Sequence, residues 1–307
     1  MDQIKVFSPG TIANVSCGFD VLGLALETPG DVMVVKKIDA PLVQIIHLDA
    51  YNLPTDPEQN VAGKAALAII DDLKLDYGFE ITIDKGIHPG SGIGSSSASA
   101  SGVVFAINQL LDTPLSEAQQ MHYAMIGEYV ASGSYHADNV APALIGGIVL
   151  IRGYGPLDYL KIPVPNELWA TVITPKIPIR TFDARRVLKS KVLLTDAIQQ
   201  CGNLAGFIAG LYTANFGLIS RSLVDVLIEP QRAVLIPEFY ALKQAALEAG
   251  ALGSGISGSG PSVFALCQGE SKAIAVKTAL NEVYQDLGIP YEINVSKINN
   301  QGVKILE

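Results

Sequence analysis

Charge is sparse in this sequence. Charged residues make up 17% of the 307, and 30 acidic against 21 basic residues leave a net charge of -9. No block of lysine and arginine stands out, which argues against a nucleic acid or an anionic membrane as partner. A phosphate ligand stays open, because backbone N–H groups hold one without a positive surface. Cysteine is scarce: Cys17, Cys201 and Cys267 lie far apart and form no CxxC. That argues against a disulfide framework or a zinc site and fits a reducing, cytoplasmic setting. Long hydrophobic runs are missing too. The longest apolar stretch, Ala141 to Ile151, contains Pro142, Gly146 and Gly147 and is too short to span a bilayer. Met1-Asp2-Gln3-Ile4-Lys5-Val6 reads as the start of a strand, not as a signal peptide. No internal repeat is visible.

What remains is a globular composition, 49% hydrophobic, with enough chain for one large or two ordinary domains. Strands are expected at Ile4–Phe7 (ending in a turn at Ser8-Pro9-Gly10), Asp31–Lys37, Val43–Asp49, Phe79–Asp84 and Gly146–Ile151. Helices are expected at Val61–Ile70 behind an Asn60 cap, at Ser96–Leu111 and at Ser116–Tyr129. Arg152 to Leu157 is rich in turn residues and divides the chain into expected domains 1–155 and 156–307. The second half reads as a strand at Trp169–Thr174, helices at Leu194–Phe216 and Glu238–Ala249, and a glycine-serine stretch. It closes on strand Ser262–Cys267, helix Ser271–Leu287 and strand Tyr291–Lys297. This mixed order predicts an α+β fold rather than a doubly wound sheet.

Pro89-Gly90-Ser91-Gly92-Ile93-Gly94-Ser95-Ser96-Ser97 sits between an expected strand and an expected helix. Glycine lets backbone take positive φ and approach a ligand closely. A helix start offers unpaired N–H groups and the positive end of its dipole to an anion. Serine hydroxyls there suit phosphate or Mg²⁺. A tight turn with serine caps accounts for the same composition. The loop is not a Walker A sequence, since no Gly-Lys-Ser/Thr follows. The one GxGxxG match, Gly253-Ser254-Gly255-Ile256-Ser257-Gly258, follows a helix and precedes a strand, the reverse of a dinucleotide fingerprint.

The segment Pro89 to Ala98 resembles the phosphate motif of the GHMP kinases, with Ile93 for the usual leucine and Ser97 for the first alanine. Gly253 to Ser262 resembles that family's third motif. The resemblance implies a two-domain α+β fold: an N-terminal domain like ribosomal protein S5 domain 2 and a ferredoxin-like C-terminal domain. It implies ATP and Mg²⁺ as cofactors. The ATP phosphates would lie on Pro89, Gly90, Ser91, Gly92, Ile93, Gly94, Ser95, Ser96, Ser97, Ala98 and Ser99, beside Gly258, Ser259 and Gly260.

Three further segments are similar to the branch of that family that phosphorylates the side-chain hydroxyl of L-homoserine. They are Thr11 to Gly23, Gly127-Glu128 with Ser132 to Pro142, and Ile228 to Arg232 with Ile236-Pro237. By that resemblance Ser96 and Glu128 bind the metal, and Ser96, Glu128 and Asn139 carry catalysis. Asn14, Asp20, His136, Asp138, Thr181, Arg185 and Arg232 meet the amino-acid substrate, the arginines suiting its carboxylate. Many GHMP kinases place an aspartate base where this chain has Asn139, so positioning without a strong side-chain base is expected; the neighbouring Asp138 carboxylate leaves the other answer open. The resemblance also implies a homodimer. Two alternatives stand beside this reading. One is a kinase for another small alcohol, which would not need both charge partners; the other is a non-catalytic regulatory module, which would lose metal or loop residues. The adenine pocket leaves little trace: Asn60 to Lys64 are candidates for its wall, and a plain helix cap accounts for Asn60 equally well.

Overall fold

Local sequence sets the elements around the glycine loop. The computed structural model describes residues 2–179 and 181–307, without the side chains of Thr181 and Phe182. The first half gives β1 (Gln3–Ala13), β2 (Leu22–Ile38), β3 (Val43–His47), α1 (Val61–Leu73), β4 (Gly78–Asp84), α2 (Ser95–Leu110), α3 (Glu117–Ser132), α4 (Val140–Ile145), β5 (Ile148–Tyr154) and β6 (Leu157–Ile162). The second gives β7 (Leu168–Pro175), α5 (Thr181–Arg186), α6 (Leu194–Tyr212), α7 (Phe216–Ser222), α8 (Glu229–Arg232), α9 (Phe239–Glu248), β8 (Gly253–Ile256), β9 (Val263–Gln268), α10 (Glu270–Tyr284), β10 (Tyr291–Lys297) and β11 (Lys304–Ile305). The result is α+β, as expected.

The first sheet runs β11-β1-β2-β4-β3, and β2 is its spine. The Val32–Ile38 end of β2 pairs with β4, and its Leu22–Leu24 end pairs with β5, which pairs with β6. Among the described residues of this sheet only β3 and β4 run parallel, and the other pairings are antiparallel. The second sheet, β10-β7-β9-β8, is antiparallel throughout. Helices α1, α2 and α3 pack together, with α2 lying on β1 and β2; α9 and α10 cover the second sheet. Helix α2 is buried on nearly every face, so it carries small residues instead of an apolar stripe.

Two local signals behaved as the sequence implied. Asn60 caps α1 through the N–H groups of Ala62 and Gly63, and Ser116 with Gln119 forms a capping box on α3. Others did not. Ser8-Pro9-Gly10 is no turn: β1 continues through it with a register shift between Pro9 and Thr11. Arg152 to Leu157 is the hairpin joining β5 and β6, and both strands belong to the first sheet. The chain crosses to the second sheet only after Ile162. The expected Leu194–Phe216 helix breaks after Tyr212, where Ala214 takes φ 49° and Asn215 caps α7.

Three buried clusters make the core. One lies under α1 to α3 on the first sheet, and one lies between the second sheet and α9–α10. The third joins the halves: Leu22, Leu24 and Ile93 pack with Phe207, Phe264 and Leu266.

Candidate active site

The phosphate-loop candidate connects β4 to α2. Gly90, Gly92 and Gly94 take φ of 74°, 82° and 67°, which only glycine adopts without strain. Gly94 is the N-cap of α2, and no side chain caps that first turn. A helix start in this state is an anion site. The third motif seals the other side of the loop. The Ser257 hydroxyl donates to the Gly92 carbonyl at 2.7 Å, and the Ser262 hydroxyl to the Ser91 carbonyl at 2.6 Å. A Cβ on Gly92 would lie 2.5 Å from the Gly260 carbonyl oxygen. The two glycine-rich motifs, far apart in sequence, are one structure.

Glu128, on α3, is buried beside the first turn of α2. Its two carboxylate oxygens each accept a 2.9 Å hydrogen bond, from the Ser96 and Ser97 hydroxyls. Burial pushes its carboxyl up to about 7, against those hydrogen bonds and the Lys85 charge. This is a set of hard oxygens, the donor type that Mg²⁺ prefers. Beneath the loop, Lys85 and Asp31 form a buried ion pair at 2.5 Å.

Two cavities meet at Ser96 and Glu128, and both are also lined by Ser132. The first is polar. It brings together Asn14, Asp20, His136, Asp138, Asn139, Arg185 and Arg232, along with Gly258 and Ser259. The second, about 350 Å³, runs from Leu53, Pro54, Asn60 and Val61 past Lys85 to Pro89, Gly90 and Ser99. Asn60 both caps α1 and lines this cavity, so the two readings of it are compatible.

In the polar cavity, charges from both halves converge. Arg185 Nη2 lies 3.1 Å from each Asp20 oxygen and 2.8 Å from His136 Nε2. An arginine only donates, so Nε2 accepts and the proton of the neutral ring sits on Nδ1. That Nδ1 is buried without a partner among the described residues. Burial holds the imidazole below its ordinary value, and Arg185 adds to this against the Asp20 charge. Arg232 donates from Nε to the Ala184 carbonyl and from Nη1 to the Gly258 carbonyl, and its guanidinium lies 5.0 Å from the Phe19 ring centroid. Asp138 is buried, and its carboxyl is pushed up to about 7 by burial first and by Asp20 second.

Asn14 holds the near wall. Its amide donates to the Gly258 carbonyl at 2.7 Å and its carbonyl accepts the Asp20 N–H at 3.0 Å. Asn14, Val15 and Ser16 all have positive φ, a strained run of the kind that clusters at functional sites. Asn139 accepts the Thr11 hydroxyl at 2.7 Å. An amide held this way orients a neighbour and takes up no proton.

Most expected site residues are thus gathered in one place, with exceptions. Ile93 and Ala98 point into the core, so only their backbone is available to a ligand. The Ser91 hydroxyl is buried without a partner among the described residues. The Thr181 side chain lies outside the described residues. Sequence reading missed Thr11, Phe19, Asp31, Lys85 and Ser132 as parts of the site. Thr11 and Phe19 lie inside the Thr11 to Gly23 segment, but nothing in it gives either a role, and nothing local marks Asp31 as a partner of Lys85.

Known proteins fit this geometry. The GHMP kinases N terminal domain matches residues 60–147 and the GHMP kinases C terminal domain residues 196–286. A homoserine kinase of Chloroherpeton thalassium is 40% identical, with 100% of both chains covered. One of Xylella fastidiosa is 42% identical over 99% of this chain and 94% of its own. The crystal structure of homoserine kinase from Cytophaga hutchinsonii superposes with a TM-score of 0.96 at 46% identity, covering 100% of this chain and 98% of that one. A galactokinase of Lactococcus lactis shares the fold, with a TM-score of 0.74 at 15% identity, 99% of this chain and 95% of that one being covered. The chain belongs to the GHMP kinase family, among its homoserine kinases.

Proposed function

We propose that this protein transfers the γ-phosphoryl group of ATP to the side-chain hydroxyl of L-homoserine, giving O-phospho-L-homoserine on the way to threonine. The observation that carries the reading is the Ser96–Glu128 pair standing between two cavities, one of which holds the opposed charges Asp20 and Arg185. An amino acid offers an ammonium to the first and a carboxylate to the second. A sugar or mevalonate has no use for both.

In this reading the uncapped start of α2 receives the ATP phosphates, and the second cavity takes the rest of the nucleotide. Ser96 and Glu128 hold Mg²⁺, which when bound neutralises charge on the phosphates. The donor set fits: a buried carboxylate and two hydroxyls, close to one another. Arg185 and Arg232 take the substrate carboxylate, and Asp20 with Asn14 the ammonium. His136, Asp138 and Asn139 orient the hydroxyl. A loose phosphoryl transfer asks little of a base, so orientation is the main contribution of these three. The same reading makes the protein a cytoplasmic homodimer. Light scattering at twice the 32.5 kDa chain mass tests the dimer.

A coupled ADP-release assay with L-homoserine, mevalonate, shikimate and galactose at equal concentration tests the activity. Turnover with homoserine is expected; turnover with another alcohol and none with homoserine overturns the reading.

A further inference from the structure

The ammonium of Lys85 and the carboxylate of Asp31 lie beneath the phosphate loop, with side chains 2% and 0% exposed. A lysine has three N–H donors and no acceptor. Here they meet Asp31 Oδ2 at 2.5 Å, the Ser95 carbonyl at 2.6 Å and Ser99 Oγ at 2.9 Å. Asp31 is equally engaged. Its Oδ1 accepts the Ile87 N–H at 3.2 Å, and its Oδ2 accepts the Ser99 hydroxyl, also at 3.2 Å.

The positions of these partners matter more than their number. Ile87 lies two residues before Pro89, where the loop opens, and Ser95 is the first residue of α2 after it. Asp31 belongs to β2, the spine of the first sheet. One ion pair therefore ties the entry and the exit of the loop to the same fixed strand. Lys85, Ser95 and Ser99 also line the second cavity, so the network forms part of its wall. Folding stability gives little reason for such a pair, since apolar residues of similar volume often serve as well in a core. Geometry gives a better one, because a charged, fully bonded network fixes angles that an apolar contact leaves free.

We propose that Asp31 and Lys85 are positioning residues for nucleotide binding: their buried ion pair fixes both ends of the phosphate loop, so that its backbone N–H groups stand ready for a nucleoside polyphosphate. This rests on the kinase reading above. Asp31 lines neither cavity, and the pair acts through Ile87, Ser95 and Ser99.

The test is calorimetric titration with Mg·ADP, together with thermal melting and homoserine KM at saturating ATP. The double variant Asp31→Leu/Lys85→Met should melt close to the wild type, bind ADP about tenfold more weakly or worse, and keep its homoserine KM within about twofold. A double variant that folds and binds ADP like the wild type overturns the proposal. Should the double variant fail to fold, Asp31→Asn decides, since Asp31 lines neither cavity: a roughly threefold loss of ADP affinity at unchanged homoserine KM supports the clamp, and unchanged affinity overturns it. A wild-type protein that binds no ADP overturns the kinase reading itself and the clamp with it.

Discussion

Arg185 and Asp20 meet across the two halves of the chain, with one guanidinium nitrogen 3.1 Å from both carboxylate oxygens. The pair is part-exposed, at 39% and 31%, so it adds little to folding. In the proposed reading its use is to hold opposite charges where an amino acid would bring its own. Arg185→Ala should leave the melting temperature unchanged and raise the homoserine KM. Loss of a charged hydrogen bond costs about 1.5–3 kcal/mol, or roughly 10- to 150-fold in kcat/KM. Steady-state kinetics with homoserine varied at fixed ATP checks this; an unchanged KM would place the substrate carboxylate elsewhere.

Arg232 should behave differently. It is 3% exposed and holds the Ala184 and Gly258 carbonyls. Arg232→Ala should raise the KM and also lower the melting temperature by several degrees, because it leaves both carbonyls without this donor. Arg232→Lys should restore the charge but only part of either effect. Melting curves beside kinetics separate the two arginines.

Glu128 and Asp138 give the pH dependence its sign. Burial raises both carboxyls to about 7, from 4.5 and 3.8. Between those values the native state holds protons that the unfolded state has lost, so stability falls as pH rises towards 7 and stays low above it. In the proposed reading activity runs the other way, since Glu128 would need its charge to hold a cation. Glu128→Gln should therefore melt higher than the wild type at pH 8 and lose that advantage near pH 4, and it should lower kcat by at least about a hundredfold at pH 8, a deficit that shrinks as the wild-type carboxyl protonates below 7. A lower melting temperature at pH 8 would contradict this.

The loop glycines make a matched pair for mutagenesis. Gly90 has φ 74° and open space where a Cβ would stand, with nothing within 4 Å, whereas a Cβ on Gly92, at φ 82°, would meet the Gly260 carbonyl oxygen at 2.5 Å. Gly90→Ala should cost only the left-handed strain, about 1–2 kcal/mol. Gly92→Ala must also push the two glycine-rich motifs apart, and should cost more and abolish ADP binding. Urea unfolding and ADP titration on the two variants read the difference.

The parts of this structure that were legible in the sequence are those whose causes are local. Asn60 and Ser116 announce helix starts because a cap needs only the next three residues. Glycine at 90, 92 and 94 announces positive φ for the same reason. Misreadings arose where a distant partner decided. Pro9 lies inside β1 because β2 pairs on both sides of the bulge there. Gly253–Ile256 forms β8 in spite of its glycines because β9 lies beside it. Helix α4 escaped notice because Pro142 suggests a break, yet it stands in the first turn, where no N–H is needed. Motif resemblance supplied most of the residues that line the polar cavity and passed over those that hold them, such as Thr11 behind Asn139, as well as the buried pair Asp31 and Lys85.

The two cavities that share Ser96, Glu128 and Ser132 have separate walls beyond those residues. Traffic through such a site need not queue. With the acceptor on one side and the nucleotide on the other, neither blocks the other's door, and no residue has to carry the phosphoryl group between visits. Initial-rate plots should then intersect instead of running parallel, the signature of both partners being aboard before anything is exchanged.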